Sequence, residues 1–198
     1  LIYNIEGRRK IIHTLLGFSF AVLIYFGPYR EVVLFIFSLA VVSFIVSVMF
    51  KLGKSPALIS RIIHYLEREE EKNEFPAQGA FFFFLSSTIV AFFFPVKIAA
   101  AALTALALGD GFATLIGRKY GKRKHRHNIR KSLEGSIAGF VACLIGSMLF
   151  VNLWLSVLNS VVFVIIESIH LEARARKIND NLYIPVACAI VLSLAQSL

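Results

Sequence analysis

Acidic residues are scarce in this chain. Twelve Asp and Glu stand against 21 Lys and Arg, and charged residues of both signs make up only 17% of 198 positions. A soluble domain carries about 25% charged and about 45–50% apolar residues, whereas 58% of this chain is hydrophobic, 19 residues being Phe. A soluble core of this size cannot hide so much apolar surface, but a bilayer can. Cysteine is nearly absent. Cys143 and Cys188 both lie in apolar runs, which reads as two small buried hydrophobes and excludes a disulfide framework. Nucleotide loops of the familiar kinds are missing as well. Gly117 to Lys122 lacks the Walker A spacing, and Gly109-Asp110-Gly111 follows no strand, as a dinucleotide fingerprint must.

Long apolar runs are what the chain has in abundance. A spanning helix needs about 20 mostly apolar residues, and candidates fall at 11–27, 31–50, 77–95, 97–117, 135–154, 156–170 and 183–198. The expected fold is therefore an all-α membrane protein of about seven transmembrane helices. The first run follows Arg8-Arg9-Lys10, as a signal peptide's would, but no small-residue cleavage site follows it, so an uncleaved helix is expected. Between the second and third spans, Leu58, Ile59, Ile62, Ile63 and Leu66 recur at helical spacing and precede the polar stretch Glu67 to Glu74. This reads as an amphipathic helix lying at the interface, or as a solvated linker helix. There is no long repeat and no low-complexity linker, so a single domain over 1–198 suffices.

The cations sort by side. With a cytosolic N-terminus, the cytosolic segments hold three Lys or Arg at 8–10, five between 51 and 72, eight between 118 and 131 and three between 174 and 177, which is 19 of the 21. Arg30 and Lys97 remain outside. Cytosolic enrichment of Lys and Arg is the principal orientation rule, so the net charge of +9 needs no nucleic acid to explain it.

Ionisable groups inside spans are costly and mark candidate sites. Asp110 lies toward the cytosolic end of the fourth span and Glu167 near that of the sixth. Glu134 and Asp180 stand just outside the fifth and seventh. Four carboxylates at one membrane face beside a basic loop suit a magnesium–nucleotide site, because Mg²⁺ takes oxygen ligands from one or two carboxylates, phosphates and water, and Lys and Arg neutralise the remaining phosphate charge. Simpler roles stay open: ion pairing for Asp110 and Glu167, capping of the last helix for Asp180 with Asn181, topology anchoring for the basic loop, tight packing for the glycines about Asp110. His125 and His127 read as members of a solvated loop. Lys131-Ser132-Leu133-Glu134-Gly135-Ser136 opens the fifth span, whose free N–H groups and positive dipole end favour an anion such as phosphate.

Taken together, these strings resemble the CTP-dependent lipid-alcohol kinases: dolichol and polyprenol kinases, phytol kinases and the fungal-type CTP-dependent diacylglycerol kinases. The resemblance rests on Glu6-Gly7-Arg8-Arg9-Lys10-Ile11-Ile12-His13, Pro76-Ala77-Gln78-Gly79-Ala80, Gly109-Asp110-Gly111-Phe112-Ala113 continuing to Gly117-Arg118-Lys119-Tyr120-Gly121, the Lys131 to Ser136 string, and Asp180-Asn181-Leu182-Tyr183-Ile184-Pro185. Asp110-Gly111 is also shared with the CDP-alcohol phosphotransferases, but Thr114-Leu115 stands where their Ala-Arg continuation belongs, and their later aspartates are missing. Against the larger dolichol kinases, the resemblance leads one to expect a compact form without their extra N-terminal spans.

The resemblance implies transfer of the CTP γ-phosphoryl group to the hydroxyl of a polyprenol, a phytol-like alcohol or diacylglycerol, giving CDP and a lipid monophosphate. It implies Asp110 as metal ligand or general base, with Glu167 or Asp180 completing a Mg²⁺ shell. Lys131, Arg118 and Lys119 are expected on phosphates, and Arg8 and Lys10 as a nucleotide clamp. Ser132 and the backbone at Gly109 and Gly111 are expected to approach the phosphates, and Glu134 to orient Lys131 or bind metal. The expected partners are CTP, a lipid alcohol and the membrane, with no nucleic acid: the cell membrane in a prokaryote, the endoplasmic reticulum in a eukaryote. Two alternatives are a cytidylyltransferase making a CDP-lipid and a small multi-span transporter.

Overall fold

The computed structural model describes residues 5–54, 56–66, 76–126, 128–169, 172–173, 176–177 and 179–197. The polar stretch 67–74, His127 and Arg174 lie outside them. Every apolar run in the sequence is a helix. The helices are α1 (Ile5–Phe26), α2 (Tyr29–Lys51), α3 (Ala57–Leu66), α4 (Gln78–Phe93), α5 (Val96–Thr104), a π-helical turn (Ala105–Gly109), α6 (Asp110–Tyr120), α7 (Leu133–Ser147), α8 (Leu153–Ser168) and α9 (Asp180–Gln196). The described strands are a two-residue antiparallel pair, Glu172–Ala173 with Arg176–Lys177.

Three continuous helical stretches are long and apolar enough to cross a membrane: Ile5–Phe26, Tyr29–Lys51 and Val96–Tyr120. Helices α4, α7, α8 and α9 are apolar but have 15 to 17 residues. At 1.5 Å per residue such a helix rises roughly 22–26 Å, less than a hydrocarbon core of about 30 Å.

Composition decides which helix lies at the centre. Ile98 to Leu103 and Ala105 to Ala107 are sealed from solvent, as expected of a helix that is apolar all round. Helix α1 packs along α5 and the π-turn, α7 along α6, α8 along α7, and α9 against α4 and α8, while α2 covers α4. Small residues permit the closest crossing. A Cβ on Gly135 of α7 would lie 2.6 Å from the Ala113 carbonyl oxygen and 3.0 Å from the Gly117 Cα of α6, so only glycine fits.

Local signals set the helix ends. The Ser132 side chain accepts from the Gly135 N–H and caps α7, and Asn152 caps α8 through the Leu155 N–H. Asn179 is the N-cap of α9, accepting from the Asn181 N–H, and Asp180, the first helical residue, accepts from the same N–H at 3.1 Å. The described residues of the basic segment between α6 and α7 form a short hairpin. Lys124 and Ser132 pair across it, and the His125 N–H donates to the Lys131 carbonyl at 3.2 Å.

Candidate functional site

Five elements converge at one end of the bundle: the N-terminal turns of α1, α6, α7 and α9 and the C-terminal turn of α8. Each brings an ionisable group. Lys10 of α1 forms a buried ion pair with Asp110, which opens α6. Lys131, just before α7, stands 3.7 Å from the other Asp110 oxygen and 2.5 Å from Glu167 Oε1 at the end of α8. Asp110 is 0% and Glu167 2% exposed in their side chains, whereas Lys131 is 25% exposed. The cluster thus has a closed floor of carboxylates and opens to solvent at Lys131.

Hydrogen bonds extend it. Thr114 Oγ1 donates to Asp110 Oδ1 at 3.4 Å, and Ser136 Oγ donates to Glu167 Oε2 at 3.3 Å. His125 Nε2 lies 2.9 Å from Ser136 Oγ. The serine hydroxyl has a single proton; with that proton given to Glu167, the histidine nitrogen is the donor. His125 is thereby joined to the cluster and is not the free loop residue the sequence suggests.

The π-turn explains the position of Asp110. Its backbone N–H reaches back to the Ala105 carbonyl, the wide ring that accommodates one extra residue. The Ala107 carbonyl within that turn accepts from Thr14 Oγ1 at 3.0 Å. Thr14 sits one turn beyond Lys10 on α1, so the same face of α1 holds the π-turn and delivers the lysine. A Cβ on Gly111 would run into the Thr14 hydroxyl. Gly109 faces the Phe163 ring, with a Cβ there 3.1 Å from its carbons. Both glycines allow close helix approach, the packing role left open by the sequence.

Lys131 keeps its proton well beyond the ordinary lysine range. Burial opposes the charge, but Asp110 and then Glu167 outweigh it, with a further contribution from Asp180. Lys131 is a fixed cation at any physiological pH.

The structure does not gather every residue that the sequence singled out. Arg118 and Lys119 are exposed on the last turn of α6, Lys119 lying over the Tyr120 ring at 4.9 Å. Arg8 stacks on Tyr65 of α3 at 4.0 Å and donates to the Tyr65 carbonyl at 3.2 Å. That contact ties α3 to α1. The Ser132 hydroxyl is occupied as a cap. Glu134 accepts from the backbone N–H groups of Lys122 and Arg123 at 3.1–3.2 Å, which braces the hairpin carrying Lys131 and leaves no direct contact to the lysine. Among the described residues, no three His, Cys, Asp or Glu side chains are grouped to hold a metal ion by themselves; the Asp110 and Glu167 carboxylates are matched by lysines. Their hard oxygen donors do fit Mg²⁺ arriving with a triphosphate, where phosphates and water supply most ligands.

Comparison with known proteins points one way. No family model matches the chain, and no solved structure matches it. Among curated proteins it is 27% identical to the CTP-dependent diacylglycerol kinase 1 of Schizosaccharomyces pombe, over 96% of this chain and 93% of that protein. It is 27% identical to the phytol kinase of Synechocystis, over 94% of this chain and 78% of that protein. A probable chloroplastic phytol kinase 2 of Glycine max is 28% identical over 52% of this chain, but only 40% of that protein is covered. The relatives are lipid-alcohol kinases, as the motifs suggest.

Proposed function

From this kinship we propose that the chain is a CTP-dependent kinase that moves the γ-phosphoryl group of CTP to the hydroxyl of a membrane lipid alcohol, releasing CDP. The observation that carries the reading is the chain of charges Lys10, Asp110, Lys131 and Glu167, drawn from four separate parts of the fold to one end of an apolar bundle.

Phosphoryl transfer asks a protein mainly for positioning and charge neutralisation. In the resting cluster two ammonium groups face two carboxylates. An incoming triphosphate offers Lys131, the exposed member, a denser anion than Glu167, and Lys10 stands behind it. The carboxylates released from their lysines, Asp110 and Glu167, are then the groups to hold Mg²⁺, with Asp180 in electrostatic reach of Lys131. The metal supplies neutralisation of charge on the β- and γ-phosphates. Arg118 and Lys119, on the exposed turn beside the hairpin, raise the local concentration of a polyanion. Arg8 contributes by holding α3 in place.

The topology belongs to the same proposal. One domain of seven spans, with a cytosolic N-terminus and α3 lying at the interface, puts the charge cluster on the side where CTP is dissolved and at the depth of a lipid headgroup. The short helices α4, α7, α8 and α9 span by local thinning of the bilayer and by protein contacts. Lys97 and the α7–α8 turn, which share a cavity with Gln196, mark the opposite end. Purified protein with Mg²⁺ should be offered CTP, ATP, GTP and UTP against polyprenol, phytol and diacylglycerol. CTP-specific formation of a lipid monophosphate is expected with one of them. Transfer from every nucleotide alike, or from none, contradicts the reading.

A further inference from the structure

The charge cluster has a second wall that the nucleotide reading leaves unused. One turn beyond Lys10, His13 sits on the face of α1 that packs toward Asp110. Its Nε2 is sealed from solvent and has no hydrogen-bond partner. A buried polar atom left unmatched costs about 1–3 kcal/mol, so such an atom beside a charge cluster calls for an explanation. The charged groups within electrostatic reach of the ring are Lys10 and Arg9 of α1, Asp110 of α6 and Asp180 of α9. On its other side the ring packs against Phe83 of α4 at 4.4 Å, and Phe83 stacks with Phe20 at 6.0 Å. His13 therefore stands at a boundary, with charges on one side and an aromatic wall on the other.

The two buried carboxylates of the cluster are already matched. Asp110 faces Lys10 and Lys131 and accepts from Thr114, and Glu167 accepts from Lys131 and Ser136. With a triphosphate bound, the carboxylates face its metal. His13 Nε2 is a buried, unpartnered atom within electrostatic reach of the cluster that is able to accept a hydrogen bond; a guanidinium nitrogen cannot. A lipid alcohol needs an acceptor at this boundary. Its chain must stay in apolar surroundings, its one hydroxyl must face the phosphate, and the O–H hydrogen must be directed away from the attacking lone pair.

We propose that His13 Nε2 accepts the hydrogen bond of the lipid alcohol's hydroxyl, fixing the acceptor oxygen beside the charge cluster with the lipid chain on the Phe83 side. This rests on the kinase reading above. It adds an acceptor-binding residue to a site otherwise built for the nucleotide.

Glutamine places an amide oxygen near the position of Nε2, whereas asparagine ends near Nδ1, which makes two substitutions of similar polarity informative. Wild type, H13Q and H13N are compared as full chains in lipid nanodiscs, with CTP affinity by equilibrium dialysis and CDP release over a range of alcohol concentrations. H13N should lose about tenfold or more in kcat/KM for the alcohol, H13Q should stay within about threefold of wild type, and both should bind CTP as wild type does. Equal losses in the two variants, or wild-type values for H13N, overturn the assignment. A second measurement uses wild type alone: the methyl ether of the alcohol, which lacks the O–H hydrogen, should inhibit at least about tenfold more weakly than the alcohol binds. An ether as tight as the alcohol also overturns it. Wild type that releases no CDP with any lipid alcohol overturns the kinase reading itself, which separates the two failures.

Discussion

Removal of the Asp110 charge separates a structural ion pair from a working one. The D110N side chain keeps the volume but leaves the Lys10 ammonium, 5% exposed, buried without its carboxylate. Breaking a buried pair by removing one partner costs about 3–5 kcal/mol. Lys131 retains Glu167 at 2.5 Å, so the lower end, about 3 kcal/mol, applies. For a chain of this length each kcal/mol lowers the midpoint by about 2–4 °C, which gives a fall of about 6–12 °C in the thermal unfolding of the detergent-solubilised protein. Adding K10M removes the stranded ammonium and should recover most of that loss, since two residues in direct contact couple by about 0.5–3 kcal/mol. Turnover should behave otherwise. CDP release is expected to vanish in D110N and to stay absent in the K10M/D110N double variant, because both the phosphate-facing lysine and the carboxylate are gone. Recovery of activity together with stability would show the pair to be structural only, and full activity in D110N would remove the residue from the mechanism.

The other predictions address neighbouring features. K131A should weaken CTP binding by about tenfold to a hundredfold, the worth of a hydrogen bond to a charged group, while the alcohol KM changes little; unchanged CTP affinity in equilibrium dialysis would contradict a phosphate role. G111A should destabilise by about 1–3 kcal/mol, as overpacking does, by driving the Thr14 hydroxyl off the Ala107 carbonyl, and T14A should relieve part of that loss; a neutral G111A in thermal unfolding would contradict the close approach of α1 to α6. R118Q/K119Q should leave stability within about 0.5 kcal/mol, as exposed substitutions do, while flattening the salt dependence of CTP association. An unchanged salt dependence in stopped-flow binding would deny these two residues any steering role.

Much of the fold was legible because bilayer physics writes itself into composition. Each of the seven apolar runs became a helix, with ends displaced by a few residues. The first helix already includes residues 5–10 ahead of the apolar run from residue 11, since Arg8, Arg9 and Lys10 are poor span residues but good helix formers. Seven helical runs are not the same as seven spans, and by length three stretches qualify. The π-turn had no sequence signal, because it depends on a Thr14 hydroxyl arriving from a helix some 90 positions away. Of the site, Asp110, Glu167 and Lys131 were readable because charge within or beside an apolar run is costly. Lys10 was readable only through the resemblance. The exposure of Arg118 and Lys119 and the capping contact of Ser132 depend on packing and were not legible in the sequence. In the sequence His13 stands only at the end of the first motif; its i+3 spacing from Lys10 was the available clue, and its packing against Phe83 was not. Thr114 and Ser136, four and two residues beyond recognised positions, carried no distinguishing signal of their own.

The most direct test of the central claim follows two labels in CTP. With the lipid alcohol and Mg²⁺ present, a γ-phosphate label should enter the lipid fraction in step with CDP release, while an α-phosphate label stays in the aqueous nucleotide. An α-label that enters the lipid with release of pyrophosphate would make the chain a cytidylyltransferase and contradict the account.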